Sequence, residues 1–165
     1  MPQRVFIGIG SNLGDRKAHY YRALERVAEL PKTRIVKESS LYESEPLGDA
    51  QTWYVNGVIE IETEFTPGQL LRRLKGIEQA MGRKKKAQTK RWTSRTIDLD
   101  ILFFDNQVVN THSLKIPHPE LHNRRFVLLP LSELAPNLTH PRFGVTISKL
   151  LVALKNDKKV MIMPP

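Results

Sequence analysis

The sequence predicts an α/β sandwich in which helices pack on a central, mainly antiparallel sheet. Apolar residues alternate with other residues over residues 5–9, 54–63 and 96–104, which is the period of strands. Two intervening segments place apolar residues at helical spacing instead. Only a short loop joins the second and third predicted strands, so a mainly antiparallel sheet is favoured over a doubly wound parallel one.

Turn and capping signals divide the chain into elements along this pattern. Pro31 ends the first predicted helix, Thr66 and Pro67 begin the second, and Gly82 can end it. The predicted strands are 5–9, 34–42, 54–63, 96–104 and 108–109. The predicted helices are 15–30, 66–82, an apolar piece at 126–134 and a last short helix at 146–154. We expect one domain over residues 1–165.

Composition limits the possible function classes. Lys and Arg number 26 against 17 Asp and Glu, and this net charge of +9 favours an anionic partner such as nucleic acid, a nucleotide or an acidic membrane surface. A basic protein with no such partner is the alternative. The absence of cysteine excludes disulfides, thiolate zinc sites and thiol nucleophiles. No segment approaches the roughly 20 apolar residues of a membrane span, so we expect a cytoplasmic protein.

Two aspartates interrupt the apolar segment 96–104. Because side chains alternate along a strand, Asp98 and Asp100 are predicted to share one face, which continues with Leu102 and Phe104. The opposite face is predicted to carry Ile97, Leu99, Ile101 and Phe103. Adjacent carboxylates repel each other, and a hard cation such as Mg²⁺ removes the conflict. Ion pairs with nearby arginines, or a solvent-facing strand side, are the alternatives; the apolar continuation of the face favours metal.

A basic segment precedes these aspartates. No acidic residue occurs between Glu78 and Asp98, whereas seven cations do: Arg83, Lys84, Lys85, Lys86, Lys90, Arg91 and Arg95. A cationic loop beside a carboxylate–metal site suits a substrate with several phosphates. A solvated loop or a nucleic-acid patch is the alternative for the run alone, and Trp92 within it could pack on the core or cover a ring.

Two further motifs suggest ligand sites but miss the required residues. The sequence G-I-G-S-N-L-G-D at 8–15 lacks the third glycine of a dinucleotide loop and the Lys-Ser/Thr end of a P-loop, so a tight strand-to-helix turn is predicted. H-P-E-L-H at 118–122 lacks the glutamate that follows the first histidine in a zinc helix, so His118 is a candidate phosphate donor instead. Tyr54, Asn56 and Phe126 could form an aromatic slot with an amide, or ordinary core.

Taken together, these motifs resemble the 6-hydroxymethyl-7,8-dihydropterin pyrophosphokinase family of folate biosynthesis. The resemblance extends from Val5 to about Pro136, and the order and spacing of its parts carry it. They are G-S-N-L-G-D at 10–15, S-S-L-Y-E-S-E-P-L-G at 39–48, Y-V-N at 54–56, I-E-Q-A-M-G-R at 77–83, R-W-T-S-R-T-I-D-L-D-I at 91–101 and I-P-H-P-E-L-H-N-R-R-F-V-L-L-P-L at 116–131. Ser113 departs from the arginine that some members carry there.

The resemblance implies a ferredoxin-like fold that binds ATP and a pterin side by side. Asp98 and Asp100 match ligands of two Mg²⁺ ions, and with Arg83 and Arg95 they form the implied catalytic set. The implied ATP contacts are Glu78, Arg83, Trp92, Arg95, Ile101, Leu114, His118, Pro119 and Arg124. The implied pterin contacts are Gly10, Ser44, Pro46, Leu47, Tyr54, Asn56, Asp98 and Phe126.

The implied reaction is attack of the pterin hydroxymethyl oxygen on the β-phosphorus of ATP, with release of AMP. A monomer is expected, with no nucleic-acid or membrane partner. An RNA-binding module is the main alternative, but the two aspartates on the strand argue against it because carboxylates repel phosphate. A metal-dependent nucleotide hydrolase, which would need no pterin, is a third possibility.

Overall fold

The computed structural model describes residues 1–46, 52–82, 96–155 and 158–164. Its strands are β1 (Gln3–Ser11), β2 (Thr33–Glu38), β3 (Tyr42–Ser44), β4 (Tyr54–Thr63), β5 (Asp98–Phe104), β6 (Val109–Asn110), β7 (Lys115–Ile116) and β8 (Val160–Ile162). Its helices are α1 (Arg16–Ala28), α2 (Pro67–Ala80), α3 (Arg125–Leu134) and α4 (Ile147–Ala153), with a 3₁₀ turn at Leu121–Asn123. No helix in these ranges is both long and apolar enough to cross a bilayer.

Six strands form the central sheet. The order is β5-β1-β4-β3-β8, and β2 also pairs with β4. Each of these pairings is antiparallel, which confirms the predicted sheet type. β1 therefore lies between β4 and β5, and residues from distant parts of the chain become neighbours across three strands.

Helices cover both faces of the sheet. On one face, Ala23 of α1 and Leu70 and Leu74 of α2 pack against Ile7 and Ile59, and all five are fully buried. On the other face, the buried core includes Phe6, Phe103, Val58, Leu128 and Leu131. Burial of these side chains is the main stabilising term of the fold. Two clefts open beside β5, one on this second face and one next to α2.

Side-chain caps begin the first two helices, and of these caps the one at Thr66 was predicted. Asp15 accepts a hydrogen bond from the Ala18 amide at 3.1 Å and caps α1. Thr66 and Gln69 form a reciprocal capping box at the start of α2. Gly82, with φ of 103°, follows the end of that helix in a conformation that favours glycine.

A β-bulge changes which face of the sheet carries each side chain at the end of β5. The register between β1 and β5 shifts between Phe6 and Ile7. As a result, Phe104 packs on the face covered by α1 and α2, whereas Phe103 packs with Leu102 on the other face. The prediction that Phe104 shares the aspartate face and Phe103 opposes it is therefore wrong, because strict alternation ends at the bulge.

The predicted strand 34–42 is in fact two strands, β2 and β3. Between them, the amide and hydroxyl of Ser40 both donate to Glu133 of α3, at 3.2 and 3.1 Å. Tyr42 also donates its hydroxyl to Glu133, and burial together with this carboxylate raises the pKa of Tyr42 above its usual range. The prediction missed β7 and β8, which are short and depend on pairing with other segments.

Candidate active site

A first cleft opens on the sheet face that carries Asp98 and Asp100. Its floor is built from β1, β4 and β5, and its rim from His118, Arg124 and the start of α3. The cleft contains about 580 Å³ of space, part of it open to solvent. Its lining residues are Gly8, Ile9, Gly10, Tyr54, Asn56, Gly57, Val58, Asp98, Asp100, Leu102, His118, Arg124, Phe126 and Val127.

Glycines on β1 leave the middle of this floor without side chains. Gly10 pairs with Asp98 on one side and with Asn56 on the other. A Cβ at Gly10 would lie 3.2 Å from Asn56 Oδ1, and a Cβ at Gly8 would lie 3.4 Å from Leu102. Any larger side chain at position 10 would therefore fill the space between the carboxylate and the amide.

The amide of Asn56 has a defined orientation. Its Nδ2 donates to Ser44 Oγ at 2.6 Å, and both residues are buried. Oδ1 faces Gly10. Asn56 thus presents a hydrogen-bond acceptor to the cleft, which suits a ligand edge that carries N–H donors.

Two aromatic rings belong to the walls of the first cleft. Tyr54 begins β4, and Phe126 lies in the first turn of α3. The Arg124 guanidinium lies 5.7 Å from the centroid of the Phe126 ring. Aromatic faces beside an oriented amide suit a flat, polar ring system.

The two aspartates fit a hard divalent cation. Both carboxylates line the first cleft; Asp98 is half-buried and Asp100 is exposed. No cluster of three or more His, Cys, Asp or Glu suited to a metal occurs in the described part of the chain. Two carboxylates are nevertheless enough protein ligands for Mg²⁺, because this ion usually keeps waters and substrate phosphates as its other ligands.

A second cleft adjoins the first and shares Asp100 and His118 with it. Its lining residues are Leu71, Lys75, Glu78, Leu99, Asp100, Ile101, His112, Ser113, Leu114, Lys115, His118 and Pro119. Lys75 and Lys115 give it positive charge. Glu78 also has a structural contact here, because its Oε2 accepts the Leu99 amide at 2.8 Å and so joins α2 to β5 between the two aspartates.

His118 has a defined ring orientation between the clefts. Its amide donates to the Leu102 carbonyl at 3.0 Å, and its Nδ1 accepts the Glu120 amide at 3.1 Å. The ring N–H is therefore on Nε2. The second histidine of H-P-E-L-H, His122, packs edge-on to Phe143, with 5.0 Å between the ring centroids. Within the described residues, neither histidine belongs to a metal-binding cluster.

The predicted residues divide between the two clefts. Gly10, Tyr54, Asn56, Asp98 and Phe126 line the first, and Ser44 supports it through Asn56. The second is lined by the predicted ATP contacts Glu78, Ile101, Leu114, His118 and Pro119. Arg124, predicted as a nucleotide contact, lines the first cleft instead.

Some predictions cannot be placed, and some lining residues were missed. Leu47, Arg83, Trp92 and Arg95 lie outside the described residues, and Pro46 is the last one before a gap. Sequence reasoning missed Lys75, His112 and Lys115 in the second cleft. Lys75 could have been found, since it lies one helical turn before Glu78 on α2.

Comparison of the sequence with known proteins identifies a family. The sequence model of one family, 7,8-dihydro-6-hydroxymethylpterin-pyrophosphokinase (HPPK), matches residues 6–136. A 2-amino-4-hydroxy-6-hydroxymethyldihydropteridine pyrophosphokinase of Haemophilus influenzae is 39% identical over 97% of this chain and 98% of its own length. The Pseudomonas aeruginosa protein of the same name is 44% identical, over 93% of both chains.

Solved structures show the same fold. A crystal structure of HPPK-DHPS in complex with substrates has a TM-score of 0.69 at 16% identity and covers 93% of this chain. A Plasmodium falciparum HPPK-DHPS structure with pterin and p-hydroxybenzoate has a TM-score of 0.72 at 15% identity and covers 92%. This chain spans 43% of each of those longer chains. By sequence, the chain belongs to the 7,8-dihydro-6-hydroxymethylpterin-pyrophosphokinase family.

Proposed function

We propose that this chain transfers the terminal pyrophosphoryl group of ATP to the hydroxymethyl oxygen of 6-hydroxymethyl-7,8-dihydropterin, releasing AMP, in folate biosynthesis. Family membership and the names of the curated relatives support this reaction. The structural observation that carries it is the pair of adjoining clefts that share Asp100 and His118. Two different ligands can then meet at the shared residues.

The first cleft suits the pterin. Tyr54 and Phe126 offer aromatic faces for a flat bicyclic ring. Asn56 Oδ1 can accept hydrogen bonds from the amino edge of the ring, because it faces Gly10 while Nδ2 donates to Ser44. Gly10 leaves the floor flat enough for the ring to lie against the sheet. In this pose the hydroxymethyl group would point toward the aspartates.

The second cleft suits the nucleotide. Lys75 and Lys115 supply positive charge, and His118 can donate Nε2–H to a phosphate oxygen near the boundary between the clefts. Ile101 and Leu114 give apolar contact for a base or ribose. Arg83, Trp92 and Arg95 stay predicted nucleotide contacts, since they lie outside the described residues.

The chain's contribution to the reaction is alignment and charge. A bond forms between the hydroxymethyl oxygen and the β-phosphorus, and the hydroxyl proton passes to water. The bond from the β-phosphorus to the oxygen bridging it to the α-phosphorus breaks, and that oxygen leaves on AMP. Binding both reactants in adjoining clefts, on either side of Asp100 and His118, makes this attack effectively intramolecular. Asp98 and Asp100 would hold Mg²⁺, which neutralises phosphate charge when bound. Two ions, a monomeric state and a cytoplasmic location stay predictions.

Product analysis tests the reaction directly. The protein is incubated with ATP, Mg²⁺ and 6-hydroxymethyl-7,8-dihydropterin, with each component omitted in turn. AMP that forms only when all three are present is the expected result. ADP or free phosphate without pterin would instead indicate kinase or hydrolase chemistry, and the proposed transfer would be rejected.

A further inference from the structure

The turn between β1 and α1 makes contacts that the two clefts do not explain. Asn12 is fully buried, and its Nδ2 donates to the Thr52 carbonyl at 3.4 Å. Gly14 has φ of 66°, a conformation that favours glycine. Asp15 caps α1. The motif G-S-N-L-G-D therefore forms a fixed turn that directs Arg16, the first residue of α1, toward residues 52–53.

Arg16 joins two strands that are distant in sequence. Its Nη1 donates to the Trp53 carbonyl at 2.8 Å and lies 3.1 Å from Glu43 Oε2. The Arg16 side chain is 25% exposed and that of Glu43 is 33% exposed, so the pair is partly shielded from solvent. A charge-assisted hydrogen bond in this setting is stronger than one on the open surface.

Both contacts lie one residue from a predicted pterin contact. Glu43 precedes Ser44 at the end of β3, and Trp53 precedes Tyr54 at the start of β4. Ser44 and Tyr54 are themselves paired across the two strands. The Arg16 guanidinium thus holds the two strand ends from which Ser44 and Tyr54 project, although Arg16 itself does not line the first cleft.

We propose that Arg16 is a positioning residue for the pterin, and this inference rests on the proposed function. By holding Glu43 and the Trp53 carbonyl, Arg16 fixes the spacing between Ser44, which orients Asn56, and Tyr54, which forms an aromatic wall. Neither Glu43 nor Trp53 lines the second cleft, so we expect the loss of Arg16 to leave that cleft unchanged. The effect is therefore specific to the pterin and spares ATP.

The test compares Arg16→Ala and Arg16→Lys with Arg34→Ala. Arg34 pairs with Glu62 on the exposed far part of the sheet, so it controls for loss of a surface ion pair. For each variant, KM for the pterin is measured at saturating Mg-ATP, KM for ATP at saturating pterin, and the melting temperature by circular dichroism. Glu43→Gln removes only the charge of the partner and serves if Arg16→Ala does not fold.

The expected result is a pterin KM raised roughly tenfold in Arg16→Ala, as for loss of one charge-assisted hydrogen bond. Arg16→Lys should recover part of this loss, and Glu43→Gln should show a smaller rise. The KM for ATP should stay near its original value, and Arg34→Ala should change neither KM.

An unchanged pterin KM in Arg16→Ala, or a parallel rise of both KM values with a lower melting temperature, would overturn the positioning role. A wild-type protein that makes no AMP would reject the proposed function, and the positioning role with it. These failures are distinguishable because the wild-type assay is run first.

Discussion

Ser44 accepts a hydrogen bond from one end of the Asn56 amide, and the other end faces the first cleft. The Nδ2–Oγ distance is 2.6 Å and both residues are buried. The acceptor Oδ1 lies 3.2 Å from the position that a Cβ of Gly10 would occupy. A hydroxyl in β3 thereby supports an amide in β4 that presents an acceptor to ligand donors.

Removal of the Ser44 hydroxyl should weaken pterin binding. In Ser44→Ala, Nδ2 of Asn56 loses its acceptor, which costs about 1–3 kcal/mol when the donor stays buried. We expect a higher KM for the pterin and a modest loss of stability in chemical denaturation. Ser44→Thr keeps the hydroxyl and is the control. If the KM for the pterin rises equally in both variants, altered packing rather than loss of the hydrogen bond is responsible.

The carboxylates of Asp98 and Asp100 should be essential for turnover but not for folding. Asp98→Asn and Asp100→Asn keep the shape of the side chain and remove its charge. We expect kcat to fall by roughly a thousandfold or more, as when a charge-stabilising group is lost from an active site. Chelation of divalent ions should abolish AMP formation, and added Mg²⁺ should restore it.

Asp105 provides the matched control for those variants. It is an exposed carboxylate just past the end of β5, and its φ of 53° is tolerated by asparagine. Asp105→Asn should therefore keep full activity. Near-normal turnover in Asp98→Asn or Asp100→Asn would mean that the metal assignment is wrong.

Gly57 should not tolerate a side chain. A Cβ there would lie 2.0 Å from the Tyr20 hydroxyl and 2.8 Å from its Cζ atom, so α1 would have to move away from β4. We expect Gly57→Ala to lower the free energy of unfolding by about 1–3 kcal/mol. Urea denaturation measures this change.

Gly76 is the matched control for the substitution at Gly57. A Cβ there would meet nothing within 4 Å, and the residue lies inside α2. Gly76→Ala should raise the free energy of unfolding by about 0.5–1 kcal/mol, because alanine favours the helix. Equal destabilisation by both substitutions would contradict the contact with Tyr20.

His140 should make stability depend on pH below neutrality. It is buried, and its Nδ1 accepts the amides of Arg142 and Phe143 at 3.2 and 3.1 Å. Burial, and then the charges of His122 and Arg142, lower the pKa of His140 to about 4. The unfolded chain takes up this proton near pH 6.5, so the free energy of unfolding should fall as pH drops from 6.5 toward 4.

Denaturation at several pH values tests this dependence. One proton corresponds to a slope of about 1.4 kcal/mol per pH unit inside that window. His140→Gln should reduce the slope by this amount even if it also lowers overall stability. An unaltered slope in His140→Gln would show that another group titrates.

Local patterns in the sequence were sufficient to predict the sheet type and the main helices. They left Tyr54, Asn56 and Phe126 as either a ligand slot or ordinary core, and only the family resemblance made these residues expected ligand contacts. The aspartate face of β5 was predicted correctly up to Leu102. It fails beyond this residue because a bulge depends on the register with Phe6 and Ile7, and strict alternation cannot reveal such a register. The break between β2 and β3 likewise depends on Glu133, 93 residues away from Ser40.

The second cleft was only partly predictable. Its predicted members came from the family resemblance, whereas Lys75 and Lys115 reach it from α2 and from the short hairpin of β6 and β7. Hairpin strands of two residues carry no clear period, so their position depends on packing against β5. Arg16 was missed for a related reason: its role depends on contacts with residues 43 and 53, far along the chain.

Asp100 and His118 line both clefts, and this sharing has a thermodynamic consequence. A ligand that contacts Asp100 or His118 from one side changes the surroundings of the same side chain on the other side. Linkage requires the resulting coupling free energy to be reciprocal. If a compound in the first cleft changes the affinity for ATP by some factor, ATP must change the affinity for that compound by the same factor. Inhibitors of this protein should therefore be ranked with the nucleotide present.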